Sequence, residues 1–198
     1  MNKPFKNNRN IILILFAMSV IPFMIAWYLA EHPEWFNAST NRGELIRPVI
    51  TTERNELEGR DTFSAENITE LKGHWVLLNI VSKKPCQHDC LEAIHKTRQL
   101  RLMMNKDLTR IRRAVIFLAE VNSENLAPLW KDDQRILRLK AKPALAKKLR
   151  LLIQEAPGNG WLILMDPLGN LMMKYRSGFD PYDVKKDLAK LLRISQIG

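Results

Sequence analysis

Cysteine and histidine are scarce in this chain: its 198 residues include two of the first and four of the second. Cys86 and Cys90 therefore have only each other as an intramolecular disulfide partner. No internal repeat and no low-complexity tract is present, so repeat architectures have no basis here. No Ser-His-Asp set, phosphate-binding loop or pair of catalytic carboxylates stands out, which leaves the corresponding chemistries without carriers. No nucleic-acid motif accompanies the balance of 31 Lys and Arg against 21 Asp and Glu. The net charge of +10 is spread from Lys3 to Arg193, and nucleic acid is not expected as a partner. A basic domain beside an anionic bilayer, or one facing an acidic partner, accounts for that charge as well.

What is present starts with a membrane signal. Hydrophobic residues make up 46% and charged residues 26% of the chain, which suits a packed core, and the length suits one domain plus an anchor. No acid occurs before Glu31, and Ile11 to Ala30 carries no charge at all. As a helix that run spans about 30 Å, the thickness of a hydrocarbon core. Pro22 lies mid-run, where membrane helices tolerate a kink. Trp27 and Tyr28 sit near its end, where aromatic rings anchor at the interface. Lys3, Lys6 and Arg9 precede the run, while Arg42 and Arg47 follow it. This bias favours a cytoplasmic N-terminus and a domain on the far side, a single-pass protein of the cell inner membrane with its domain in the periplasm. A cleaved signal peptide is the alternative, but signal h-regions run about 7–15 residues and end in small residues. Trp27-Tyr-Leu-Ala30 is a poor cleavage site. Either way the domain occupies an oxidising space, where two lone cysteines pair unless a reductant or metal holds them.

The expected division is a cytoplasmic tail (1–10), a transmembrane anchor (11–30), a polar connector (31–64) and a folded domain (65–198). Pro33, Gly43, Pro48 and Gly59 break the connector, and Leu45 to Thr52 within it is a candidate edge strand. Glu66 to Leu71 reads as a short turn. Trp75-Val-Leu-Leu-Asn-Ile-Val81 and Arg113-Ala-Val-Ile-Phe-Leu-Ala119 are apolar runs rich in branched residues and read as buried strands. Between them, Leu91 to about Met104 reads as a helix. Asn125 to Trp130 is a loop or short helix. Pro143 opens another helix through Ile153, placed where the first turn tolerates proline. Pro157-Gly-Asn-Gly160 ends that region. Trp161 to Met165 and Leu171 to Tyr175 read as strands joined by Asp166-Pro-Leu-Gly-Asn170, which has turn chemistry. A final helix begins with Asp180 as N-cap and Pro181 after it, and carries Val184, Leu188, Leu191 and Leu192 on one face.

This β-α-β-α-β-β-α order, with a cysteine pair where the first strand gives way to a helix, is that of thioredoxin-like α/β domains. The anchor, the strand Trp75 to Val81, Cys86-Gln-His-Asp-Cys90 and the hairpin Leu164-Met-Asp-Pro-Leu-Gly-Asn170 resemble the Sco/SenC branch of that superfamily. The resemblance covers roughly residues 65–195. It implies a membrane-anchored, extracytoplasmic protein of cytochrome c oxidase assembly, with a respiratory oxidase subunit or another assembly factor as partner. It also implies copper, held by two cysteines and a distant histidine. Cys86 and Cys90 match by position. The family's histidine, a few residues before the third strand, has no counterpart in Ala156-Pro-Gly-Asn-Gly160. The family's proline after the first cysteine is also missing, and Pro85 precedes it instead. The chain is thus a divergent Sco-like sequence.

Cys86 and Cys90 are the candidate redox pair. A helix N-terminus stabilises thiolate, and Lys83 and Lys84 add positive charge beside it. The alternative is a structural disulfide, whose short loop contributes little entropy. Thiolates suit Cu(I) and imidazole suits copper in either state, so Cys86, Cys90 and His88 form the candidate metal set. The alternative for His88 is a solvent-facing loop residue. His95 points away along the helix, His74 lies before the first strand, and His32 lies beside the membrane. Met165, Met172 and Met173 are strand methionines, read as core rather than copper ligands. Arg98, Arg101, Arg110, Arg112 and Arg113 are read as a solvated helical face or a docking surface for an acidic partner. Asn37 and Asn67 fall in glycosylation-type triplets that carry little information. A general thiol-disulfide oxidoreductase and a non-catalytic interaction module are the competing functions. The Cys-x3-Cys spacing disfavours the first of these.

Overall fold

The structure, a computed structural model, describes residues 8–32, 41–82, 86, 88–118, 133–153, 160–195 and 197. The chain divides into two units, 1–40 and 41–198.

In the first unit, α1 (Asn8–Glu31) is one uninterrupted helix with Pro22 inside it. It is long and apolar enough to cross a membrane. Its large apolar side chains, Ile11 to Tyr28, are exposed all round the helix. A helix with an apolar surface on every side is suited to lipid rather than to one core-facing seam. Near its end, Trp27 Nε1 donates to Glu31 Oε1 at 2.8 Å.

The second unit is built on a seven-stranded sheet: β1 (Glu44–Thr51), β2 (Leu57–Gly59), β3 (Trp75–Val81), β4 (Ile111–Phe117), β5 (Leu137–Ala141), β6 (Trp161–Met165) and β7 (Asn170–Tyr175). Their spatial order is β1-β7-β6-β3-β4-β5-β2. β3, β4 and β5 are parallel, while β6, β7, β1 and β2 each pair antiparallel with their neighbours. The helices are α2 (Thr62–Asn67), α3 (His88–Met103), α4 (Pro143–Leu152) and α5 (Pro181–Ile194).

β3 lies at the centre and every one of its residues is buried, which is why its sequence is a continuous apolar run rather than an alternation. Its side chains still alternate between two cores. Val76, Leu78 and Ile80 join Leu145 and Leu149 of α4 on one face. Trp75 and Leu77 join Ala93 and Leu100 of α3 and Val184, Leu188 and Leu192 of α5 on the other. The four-residue spacings in α4 and α5 keep each apolar row on one side of its helix.

Local chemistry sets the turns. Asp166 Oδ1 accepts from the backbone amides of Leu168 and Asn170 at 2.9 and 2.8 Å. Gly169, at φ +95°, supplies the left-handed residue that closes the β6–β7 hairpin. Asp180 caps α5 by accepting from the Tyr182 amide at 2.8 Å, with Pro181 following it.

Three expectations are corrected. The connector drawn to residue 64 is too long, because β1, β2 and the start of α2 all fall before that position. Its breakers do not exclude a strand at a sheet edge: β1 holds Pro48, a position where only edge strands tolerate proline. The sheet also gains β5, a strand absent from the expected order. Its alternation of buried Leu137, Leu139 and Ala141 with Arg138 and Lys140 is obscured by charge and brevity. The second strand begins at Ile111 rather than Arg113. The Asn125–Trp130 segment lies outside the described residues.

A buried carboxylate fastens the start of β1 to the end of the chain. Asp187, on α5, accepts from the Arg42 and Gly43 amides at 2.9 Å each and from the Tyr175 hydroxyl at 2.8 Å. Burial, and then the Asp187 charge, raise the Tyr175 pKa well above the usual phenol value.

Candidate functional site

The end of β3 delivers the chain to Cys86, and α3 starts two residues later with His88. Cys90 lies in its first turn. The two cysteines form a disulfide with their Cα atoms 5.3 Å apart, inside the ordinary disulfide range. They differ in exposure. Cys90 is 1% exposed and packs with Val81, Ile94, Val115, Phe117 and Ile136. Cys86 is half-buried at the margin of that cluster. An incoming sulfur therefore meets Cys86 first. Lys83 and Lys84 lie outside the described residues.

Under the middle of α3 lies a polar network in an otherwise apolar layer. Asn79 is the lone polar side chain of β3, and its Oδ1 lies 2.8 Å from the Thr97 hydroxyl of α3. Arg113 of β4 donates through Nη2 to the Ile94 carbonyl at 2.9 Å. Its Nη1 meets Asp133 Oδ2 at 2.5 Å. Burial lowers the Arg113 pKa, and the Asp133 carboxylate opposes that shift. The network pins the middle of α3, and so the disulfide-bearing turn, to the sheet. Sequence reasoning did not assign these residues to the site. The one available signal was Asn79, a polar residue inside an apolar run.

A wall comes from the start of β6. Gly160 sits at φ +105°, and a Cβ there would lie 2.6 Å from the Asp89 carbonyl and 3.1 Å from Ala93 Cβ. The backbone thus abuts the first turn of α3. The resemblance places a metal histidine in the segment 156–160. Gly160 is its only described residue, and it offers no ligand.

His88, the third member of the candidate metal set, opens α3 between the two cysteines. Its side chain is 86% exposed, and Nδ1 lies 3.6 Å from Asp89 and 3.7 Å from Glu92. Among the described residues, His88, Asp89 and Glu92 are the group of three whose ligand atoms gather within 4.8 Å. Lys96 also claims Glu92 at 2.7 Å, and its hydrogen bond and charge hold that carboxyl below its usual pKa. Copper(I) prefers thiolates. In the disulfide both sulfurs are committed to each other, so the reduced pair supplies two soft ligands and no third is apparent among the described side chains.

The remaining candidates separate cleanly. His95 is exposed and bonded to Gln99 at 2.9 Å. His74 precedes β3, at the opposite end from the cysteines, with Nδ1 3.2 Å from the Lys72 carbonyl. His32 makes a tilted ring contact with Tyr28 in the first unit. Met165 and Met173 are buried in opposite cores, and Met172 packs against the second of them. Asn67 donates to the Phe63 carbonyl at 2.8 Å, while Asn37 lies outside the described residues. The expected helical arginine face is corrected. Arg110 belongs to a 3-10 turn and Arg112 and Arg113 to β4, and Arg101 donates to the Ile111 and Leu108 carbonyls.

A parallel β-α-β unit followed by a β-hairpin and a helix, with a disulfide between the first strand and its helix, defines a thioredoxin-like domain. Residues 75–195 match the family described as "Transmembrane-like, thioredoxin-like, C-terminal domain". The chain belongs to that family. Comparison with curated proteins finds no match. Among solved structures, the apo Sco1 protein from Thermus thermophilus is similar at 12% identity and a TM-score of 0.54, covering 78% of this chain and 99% of that one. Yeast Sco1 with copper bound is similar at 14% identity and a TM-score of 0.51, covering 64% of this chain and 83% of that one. At these identities the likeness is one of fold. The Sco-like, divergent character expected from the sequence holds at that level.

Proposed function

We propose that this chain is a membrane-tethered, extracytoplasmic assembly factor for a respiratory oxidase that works through Cys86 and Cys90. The observation that carries the reading is the disulfide at the start of α3, with Cys86 half-buried at the margin and Cys90 buried. Its preferred chemistry is reduction of a disulfide in a partner's copper site. The Cys86 thiolate attacks one partner sulfur and expels the other as thiolate. The buried Cys90 thiolate then attacks Cys86 Sγ and releases the partner's first sulfur. Two electrons pass to the partner, and the chain is left as the Cys86–Cys90 disulfide. A dithiol reductant restores it.

Copper delivery is the second form of the same proposal, with copper as cargo on the two thiolates. The arrangement around His88 favours the dithiol form, because that imidazole associates with carboxylates. α1 supports single-pass tethering, and the basic residues before it support a cytoplasmic N-terminus and a periplasmic domain. A general thiol-disulfide oxidoreductase remains the alternative, supported by the same more accessible sulfur of Cys86.

The test is anaerobic Cu(I) titration of the reduced full chain in detergent, beside Cys86→Ser and His88→Ala, followed by reaction with an oxidised oxidase copper-site domain. The dithiol form expects no stoichiometric copper and full reduction of the target, lost in Cys86→Ser. One copper per chain, abolished by Cys86→Ser, would replace it with delivery. Failure of both reactions would sink the assembly reading.

A further inference from the structure

At the far end of α3 from the disulfide, roughly 16 Å along the helix axis from Cys90 to Arg101, the domain has a cavity of about 360 Å³. Arg101, Arg112, Arg113 and Arg135 line it, with Glu70 and Asp133 as the only acids among its described lining residues. Two of the four guanidinium charges are therefore left over. The acids are also spoken for: Glu70 pairs with Arg112 Nε at 2.6 Å and Asp133 with Arg113.

Free donors remain. Arg101 uses Nε and Nη2 on the Ile111 and Leu108 carbonyls. Arg112 uses Nε on Glu70 and Nη1 on the Thr109 and Ile111 carbonyls. Arg101 Nη1 and Arg112 Nη2 are thus unspent among the described residues. Arg135 is exposed, and no hydrogen bond or ion pair to the described residues holds it. Burial, and then the charges of Arg112, Arg113 and Arg135, lower the Arg101 pKa. Backbone carbonyls and carboxylates hold three of the guanidinium groups in place before any ligand arrives. A fixed, electropositive concavity of this kind suits a small multivalent oxyanion better than a flat protein surface, because guanidinium forks match phosphate oxygens in pairs.

We propose that this cavity binds a phosphoryl group, carried either by a soluble phosphate ester or by an anionic lipid headgroup. Arg135, Arg112 and Arg101 supply the donors, and Arg113 supplies background charge. The site does not contain the cysteines, although it shares Arg113 and Asp133 with the network that seats α3.

Arginine modification by phenylglyoxal, read by mass spectrometry on the full chain, tests this. In detergent at constant ionic strength, inorganic phosphate and glycerol 3-phosphate are titrated separately. The chain is also compared in nanodiscs of phosphatidylcholine alone and with phosphatidylglycerol. Saturable protection of Arg112 and Arg135, with exposed Arg42 unprotected, is the expected result. Arg135→Gln, at an exposed position with no partner among the described residues, weakens the protection of Arg112 about tenfold. Protection by the soluble probes identifies a soluble ester; protection only with phosphatidylglycerol identifies a headgroup. Equal protection by chloride, protection by an acidic peptide alone, or an unchanged response in Arg135→Gln would overturn the proposal.

Discussion

Cys86 and Cys90 are chemically identical and physically distinct. One sits at the rim and one in an apolar pocket, so accessibility assigns attack to Cys86 and resolution to Cys90. In the reduced full chain, iodoacetamide should label Cys86 at least about tenfold faster than Cys90. Peptide mass spectrometry over a time course measures this, and equal rates would remove the assignment. Asp187 is the other decisive single residue, since one carboxylate collects two amides and a phenol. Asp187→Ala leaves those donors unsatisfied and should destabilise the domain by about 3 kcal/mol. Asp187→Asn, which keeps an acceptor, should cost less, and denaturant titration separates the two. Tyr175 adds a pH signature. Its folded pKa is raised, so its contribution is complete below the unfolded value of 10.0 and falls as pH rises above it. Stability above pH 10 should decline less steeply in Tyr175→Phe, as read from thermal midpoints across that range.

At the scale of elements, the site depends on how α3 is seated. The Arg113–Asp133 pair and the Asn79–Thr97 contact hold its middle, while Gly160 presses on its first turn. Arg113→Met strands Asp133 and should cost about 3 kcal/mol. Gly160→Ala acts differently. A methyl group 2.6 Å from the Asp89 carbonyl, at φ +105°, forces the β6 start and the α3 turn apart. It should change the rate at which dithiothreitol reduces the disulfide, and a wild-type rate would show that this approach does not shape the site. These elements were partly legible. Strand β6 matches its sequence reading residue for residue, and α5 announced itself through Asp180 and Pro181, because local apolar runs and caps decide both. The reach of Arg113 to α3 was not legible. It joins β4 to a helix 16 or more positions earlier in the chain, and its charge suggested a solvated face.

For the whole molecule, the division at residue 40 separates an apolar helix from a sheet domain with its own two-sided core. The full chain should resist extraction from membranes by alkaline carbonate, whereas a chain lacking residues 1–32 should appear in the soluble fraction with its disulfide intact. Immunoblotting under non-reducing conditions measures both. β1 belongs to this scale as well. It pairs with β7 through Glu44–Lys174 and Ile50–Leu171, joining a segment near residue 44 to one near 174. A connector by composition is thereby an edge strand by topology.

The sequence by itself determined the apolar helix, the central strands, the hairpin, the terminal helix and the cysteine pair with its thioredoxin-like setting. Each depends on short-range pattern: uncharged length, branched apolar runs, turn residues and caps. Tertiary contacts settled which sulfur is the more accessible, that His88 lies beside carboxylates, that β5 extends the sheet and that the edge strand foreseen at 45–52 pairs with β7, and that four scattered arginines share one cavity. Those outcomes depend on burial and on contacts between residues distant in the chain, and no local periodicity encodes which distant groups will meet.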